Sequence, residues 1–141
     1  MRLQIFWTML DIKRLLGNKT LLAIAVIAYT SAITIAFLMP TSGLPQVNLP
    51  GGTDKSIHLV IHFVLVLLWQ LYSFYRNNQV FSWKNGALVL SGSLLYGIII
   101  EMLQGYITTS RTPDIFDVLA NFCGALIGVI LFQKIKYFIA S

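Results

Sequence analysis

The sequence predicts an all-α integral membrane protein: a four-transmembrane-helix bundle with both termini cytoplasmic and a short interfacial helix at the N-terminus. Three observations carry that prediction. Hydrophobic side chains make up 57% of the 141 residues and charged ones only 11%, and the mean hydropathy of +0.76 lies far above that of a soluble domain. Four apolar runs are each long enough to cross a hydrocarbon core of about 30 Å. Basic residues gather at the ends of those runs, where they set orientation. A net charge of +5 in a soluble protein would suggest a nucleic-acid partner. Here the flanking positions explain the basic residues, and no nucleic-acid partner is expected.

Residues 1–18 place Leu3, Phe6, Trp7 and Leu10 on one helical face, with Arg2, Asp11, Lys13 and Arg14 available for a polar one. That pattern predicts an amphipathic helix lying on the inner leaflet. The first span, 20–39, carries no charge and ends at Pro40. Its apolar part is longer than the core of an ordinary signal peptide, so it is read as a retained span. Residues 40–53 hold three of the four prolines and form a loop. Asp54 then stands where a carboxylate could cap the second span, 56–75, which is interrupted only by His58 and His62. A polar link from Arg76 to Lys84 leads into the third span, 85–107, and residues 108–114 turn the chain into the fourth, 115–133. Residues 1–141 are read as a single membrane domain. Cys123 is the only cysteine, so no intramolecular disulfide forms and no thiolate metal site exists.

Charge is distributed unequally between the two sides. With the N-terminus cytoplasmic, eight of the ten basic residues lie inside, leaving Lys55 and Arg111 outside. Four of the five acids, Asp54, Glu101, Asp114 and Asp117, lie at or near the outer face. An ionisable group inside hydrocarbon costs roughly 2.5–3.5 kcal/mol on insertion scales, so Glu101 and Asp117 call for a function.

Helical phase groups these residues further. Ser93, Gly97, Glu101, Gln104 and Thr108 fall within about 80° of arc on the third span, and Asp114, Asp117, Asn121, Gly124 and Gly128 do the same on the fourth. The two stripes are expected to face each other, with Asp54, His58 and His62 forming a third on the second span. Glu101 and Asn121 both lie roughly 9 Å below the outer edge, by the rise of a helix. Bland roles compete with functional ones at several positions. Gly124 and Gly128 form a GxxxG helix-packing pattern, Gln104 and Asn121 suit interhelical hydrogen bonds, Asp114 suits an N-cap, and Trp7 and Tyr137 suit interface anchors. His62 fits a satisfied buried histidine.

The ordered set Asp54-Lys55-x-x-His58, Glu101-x-x-Gln104, Arg111, Asp114, Asp117, Asn121, Gly124 and Gly128 resembles the VanZ-like family of small bacterial membrane proteins, over about residues 20–133. The family takes its name from a protein that gives teicoplanin resistance. The resemblance implies a bacterial cytoplasmic membrane protein connected with the cell envelope, and it supplies no reaction. The family's polar positions carry over to Asp54, Lys55, His58, Glu101, Gln104, Arg111, Asp114, Asp117 and Asn121; His62 stands outside that set.

The expected function is an outward-facing polar site for an amphiphilic envelope molecule, such as a lipid-linked precursor or a lipopeptide. Lys55 and Arg111 would hold a phosphate or carboxylate, with Asp54, Gln104, Asp114 and Asn121 completing the binding surface. For proton transfer, Glu101 or Asp117 is the best general base and His58 its partner acid. His58, Glu101 and Asp117 are also ordinary metal-ligand types, yet no HExxH-like spacing fixes them, so the site is read without a metal or cofactor. Two other readings compete. A small transporter could relay protons or cations, but the inner halves of the spans offer little beyond Ser91, Ser93, Thr30, Ser31 and Gln70 to continue a path, which a homodimer would have to complete. A structural or partner-binding subunit would use the same charges as a salt-bridge network. Whether the protein is an enzyme is left open by the sequence.

Overall fold

The computed structural model describes residues 17–39, 52–107 and 113–140. They form four helices, α1 (Lys19–Leu38), α2 (Thr53–Arg76), α3 (Trp83–Ile107) and α4 (Ile115–Ala140), with no strand among the described residues. All four are long and apolar enough to cross a membrane. The expected interfacial helix falls almost wholly within residues 1–16, outside the described residues.

Local chemistry explains the helix ends. Asn18 caps α1, its side-chain oxygen accepting from the amides of Thr20 and Leu21 at 3.0 and 3.2 Å. α2 begins at Thr53, three residues earlier than expected, and its N-cap is Gly52 in the left-handed region with φ 89°. Asp54 therefore lies in the first turn and does not cap α2. A carboxylate there still favours the positive end of the helix dipole. Asp114 does cap α4, with Oδ1 accepting from the Phe116 amide at 2.8 Å. α2 stops at Asn77, after which Asn78 and Gln79 take positive φ values of 52° and 62° and reverse the chain. α4 runs seven residues beyond the expected end, because nothing after Gln133 breaks a helix. Its last turns lie beside the α2–α3 link, with the Lys136 ammonium 4.3 Å from the Phe81 ring and 4.9 Å from that of Tyr137.

Successive helices run antiparallel, which brings the start of α2, the end of α3 and the start of α4 to one end of the bundle. At the opposite end Leu22, Phe74, Tyr75 and Phe132 form a dry core. Leu65, Ile33, Phe37 and Ile100 form another core higher in the bundle, and Val66, Ala125 and Val129 fill the space between α2 and α4. Large apolar side chains, among them Ile27, Ile35, Leu88, Leu95 and Phe116, cover the outside. Such a surface is costly in water and suited to lipid.

The two-stripe expectation needs one correction. α4 packs most closely against α2, because a Cβ at Gly124 would collide with the carbonyl of Leu59 and one at Gly128 would lie 3.1 Å from the carbonyl of Phe63. The glycine pattern thus joins α4 to α2, and small residues permit that backbone approach. Gly97 of α3 meets the same interior from the other side: a Cβ there would lie 2.9 Å from Asn121 Nδ2 and 3.1 Å from His62 Cε1. The polar stripes of all three helices converge, and α1 closes the remaining side through Tyr29, whose hydroxyl donates to the Ile61 carbonyl at 3.1 Å.

Candidate functional site

Helical phase and packing together assemble the polar end of the bundle. α2 contributes Asp54, Lys55 and His58 from its first turns, α3 contributes Glu101 and Gln104 from its last, and α4 contributes Asp114, Asp117 and Asn121 from its first. Except for Arg111, every sequence-predicted site residue lies in this region; Arg111 lies outside the described residues.

Lys55 is the electrostatic centre. Its ammonium donates to Asp114 Oδ2 at 2.7 Å and to Asp117 Oδ1 at 3.1 Å, joining the start of α2 to the start of α4. Asp114 and Lys55 are both partly open, whereas Asp117 is 6% exposed. The Lys55 ammonium, and after it the amide of Phe116, hold the Asp114 carboxyl below the usual aspartate range.

His58 is 1% exposed and is oriented from below. Its Nδ1 lies 3.1 Å from Asn121 Oδ1, a carbonyl oxygen that only accepts, so Nδ1–H donates to it. Nε2 then faces Asp117 Oδ2 at 3.9 Å and Asp54 Oδ1 at 4.0 Å, beyond hydrogen-bond length. Phe37 stacks on the ring with centroids 4.8 Å apart and closes the α1 side. Asp117 thus presents one oxygen to Lys55 and the other to His58.

Glu101 is 5% exposed. Its Oε1 accepts from the Asp114 amide at 2.7 Å, while its buried Oε2 has no hydrogen-bond partner among the described residues. Gln104 Nε2 donates to the Phe37 carbonyl at 2.9 Å and ties α3 to the end of α1, an interhelical bond of the kind the sequence offered for it beside a head-group contact.

Sequence reasoning underrated the layer beneath. His62 is fully buried, with Nδ1 2.9 Å from Ser93 Oγ and Nε2 unpartnered among the described residues. Gln70, also buried, lies deeper beside the Gly86 carbonyl. The polar groups therefore do continue inward, as His58, Asn121, His62, Ser93 and Gln70, instead of ending at one layer. The signal was present in the sequence: His58 and His62 are one turn apart on the face that also carries Asp54. On the flank of this file, between α2 and α3, a lipid-side groove of about 420 Å³ is lined by Leu65, Trp69, Arg76, Leu88, Ser93 and Tyr96, among others.

Chemically, the cluster offers an oriented imidazole, the two buried carboxyl groups of Glu101 and Asp117, and an ammonium that neutralises part of the negative charge. Proton transfer and polar head-group binding are both within its means.

No curated protein and no solved structure matches the chain. The VanZ/LLP1 family model matches residues 11–137, which includes the first three helices, all but the last three residues of α4 and every residue of the polar cluster. The chain is thus a multi-pass membrane protein and belongs to the VanZ/LLP1 family.

Proposed function

We propose that this protein binds the polar head group of an amphiphilic cell-envelope molecule, a lipid-linked precursor or a lipopeptide, at the outer face of the bacterial cytoplasmic membrane. The observation that carries this reading is the convergence of Asp54, Lys55, His58, Glu101, Asp114, Asp117 and Asn121 from three helices at one end of an otherwise apolar bundle. Hydrocarbon rarely tolerates such a group of ionisable residues without a task. Basic residues support the orientation: Lys19, Arg76, Lys84, Lys134 and Lys136 belong to the opposite end, which the positive-inside rule assigns to the cytoplasm together with both termini. Arg111, outside the described residues, would join Lys55 as an anion contact, and Glu101, Asp117 and His58 are the groups that would move a proton. Interference with glycopeptides such as teicoplanin is an activity compatible with such a site, through the envelope precursors it would hold.

The test is native mass spectrometry of the detergent-purified protein with a polyprenyl-pyrophosphate-linked precursor. Wild type should retain the lipid, and Glu101→Gln and Asp117→Asn should lose it while melting within a few degrees of wild type. Lys55 keeps Asp114 as a partner when Asp117 is neutralised, which is why the fold is expected to survive. Loss of folding in both variants would instead assign the charges to a structural network. A second reading, proton or cation relay, draws on the buried file from His58 to Gln70. Liposomes containing the pure protein should then acidify under an imposed pH gradient, and tight liposomes count against it.

A further inference from the structure

Among the described residues, the polar end of the bundle holds Asp54, Glu101, Asp114 and Asp117 against the single ammonium of Lys55. A phosphate or carboxylate head group needs positive charge there beyond that of Lys55, and the geometry of three side chains indicates a source for it. The donor atoms of Asp54, His58 and Asp117 all lie within 4.8 Å of one another. His58 Nε2 stands 4.0 Å from Asp54 Oδ1 and 3.9 Å from Asp117 Oδ2, too far for hydrogen bonds. Around an ion with bonds of about 2.0–2.1 Å, tetrahedral donors lie about 3.4 Å apart. The two His58–carboxylate distances need to contract by about half an ångström and the widest donor pair by about 1.4 Å, a movement open to the exposed Asp54 side chain, which is able to swing.

A second feature points the same way. His58 is nine-tenths buried and more, yet no described group hydrogen-bonds its Nε2. The Asn121 carbonyl accepts from Nδ1 and so aims Nε2 at two carboxylates, an arrangement that calls for a positive charge between them. An outer carbonyl or carboxylate fixing the far nitrogen is how proteins usually orient a metal-bound imidazole. Nearby, the orphaned buried Oε2 of Glu101 is a further acceptor within electrostatic reach of His58 and Asp117.

We infer that Asp54, His58 and Asp117 form a divalent transition-metal site of the zinc type, with an open coordination position toward the outer surface. One imidazole nitrogen with two carboxylate oxygens suits Zn²⁺ better than Mg²⁺ or Ca²⁺, which favour all-oxygen sets. Lys55 neutralises the other oxygen of Asp117 and keeps that carboxylate in place. The open position would accept an oxygen of an anionic head group, so the inference deepens the function proposed above and rests on it for the identity of the ligand.

The experiment uses the full chain in detergent with Zn²⁺ alone, in a Cys123→Ser background that removes the only thiol. Titration calorimetry and the melting temperature should report one Zn²⁺ per chain, with a rise in melting temperature reversed by EDTA. His58→Gln and Asp117→Asn should abolish binding, and Asp54→Asn should weaken it at least tenfold. Asp54 is exposed and its variant folds whatever happens to the other two, so it decides the matter if they do not. Absence of binding at millimolar Zn²⁺, which would mean an imidazolium held between two carboxylates, overturns the inference, as does binding indifferent to Asp54→Asn. Repeating the precursor-binding measurement with EDTA separates the two proposals. Lipid retained equally in EDTA removes the metal and leaves the head-group site, whereas Zn²⁺ binding without lipid binding does the reverse.

Discussion

Asp114 joins two tasks that are usually separate. One oxygen caps α4 and the other accepts from Lys55, so the carboxylate must stay ionised to do both. Both partners depress its pKa below the ordinary 3.8, Lys55 more than the Phe116 amide. A depressed carboxyl contributes stability that is complete above its unfolded pKa and is lost as pH falls through the folded one. The melting temperature of wild type should therefore hold steady from neutrality down to the ordinary aspartate range and decline below it. Asp114→Asn, which keeps an N-cap oxygen but loses the charge, should start lower and show less of that acid decline. A thermal-shift series across pH in detergent checks this. The sequence identified Asp114 as a capping residue from its place before a long apolar run. Its pairing with Lys55, 59 residues away, depends on how α2 and α4 pack.

Among the elements, α4 shows how small residues position charged ones. Gly124 lets its backbone touch α2 at Leu59, and one turn earlier Asn121 meets His58. A methyl group at Gly124 must push the helices apart, because the obstacle is a backbone carbonyl that cannot rotate away. Overpacking of this kind costs about 1–3 kcal/mol. Gly124→Ala is expected to lower stability by that amount and to weaken the His58 to Asn121 contact. Gly92, which has nothing within 4 Å of its would-be Cβ, should accept alanine with no loss and a gain of up to about 1 kcal/mol in helix propensity. Unfolding of the two variants in mixed micelles gives the comparison. The GxxxG pattern was legible as a packing face, and its partner was not: α3 carries an equally small-residue stripe, and only the assembled bundle shows that α2 takes the closer place.

At the scale of the whole molecule, the bundle is polarised. One end is an aromatic core flanked by lysines and arginine, and the other is a charged cluster sealed by Phe37. That polarity predicts sidedness. A cysteine placed at Thr109 in a Cys123→Ser background should react with an impermeant thiol reagent added to intact cells. One placed at Asn78 should react only after lysis. The opposite pattern would reverse the proposed orientation and place the site toward the cytoplasm.

By itself the sequence determined the helices, their order and their buried faces, because run length, proline and glycine breaks and the 3.6-residue period are local properties of the chain. It also identified the family and most residues of the polar end. Only the tertiary structure decided that Asp54 does not cap α2, that Asn121 orients His58, that Gln104 binds the backbone of α1, and that His62 and Ser93 extend the polar file inward. Each of these depends on how helices rotate and approach one another, and in lipid that is set by close packing between small residues far apart in sequence.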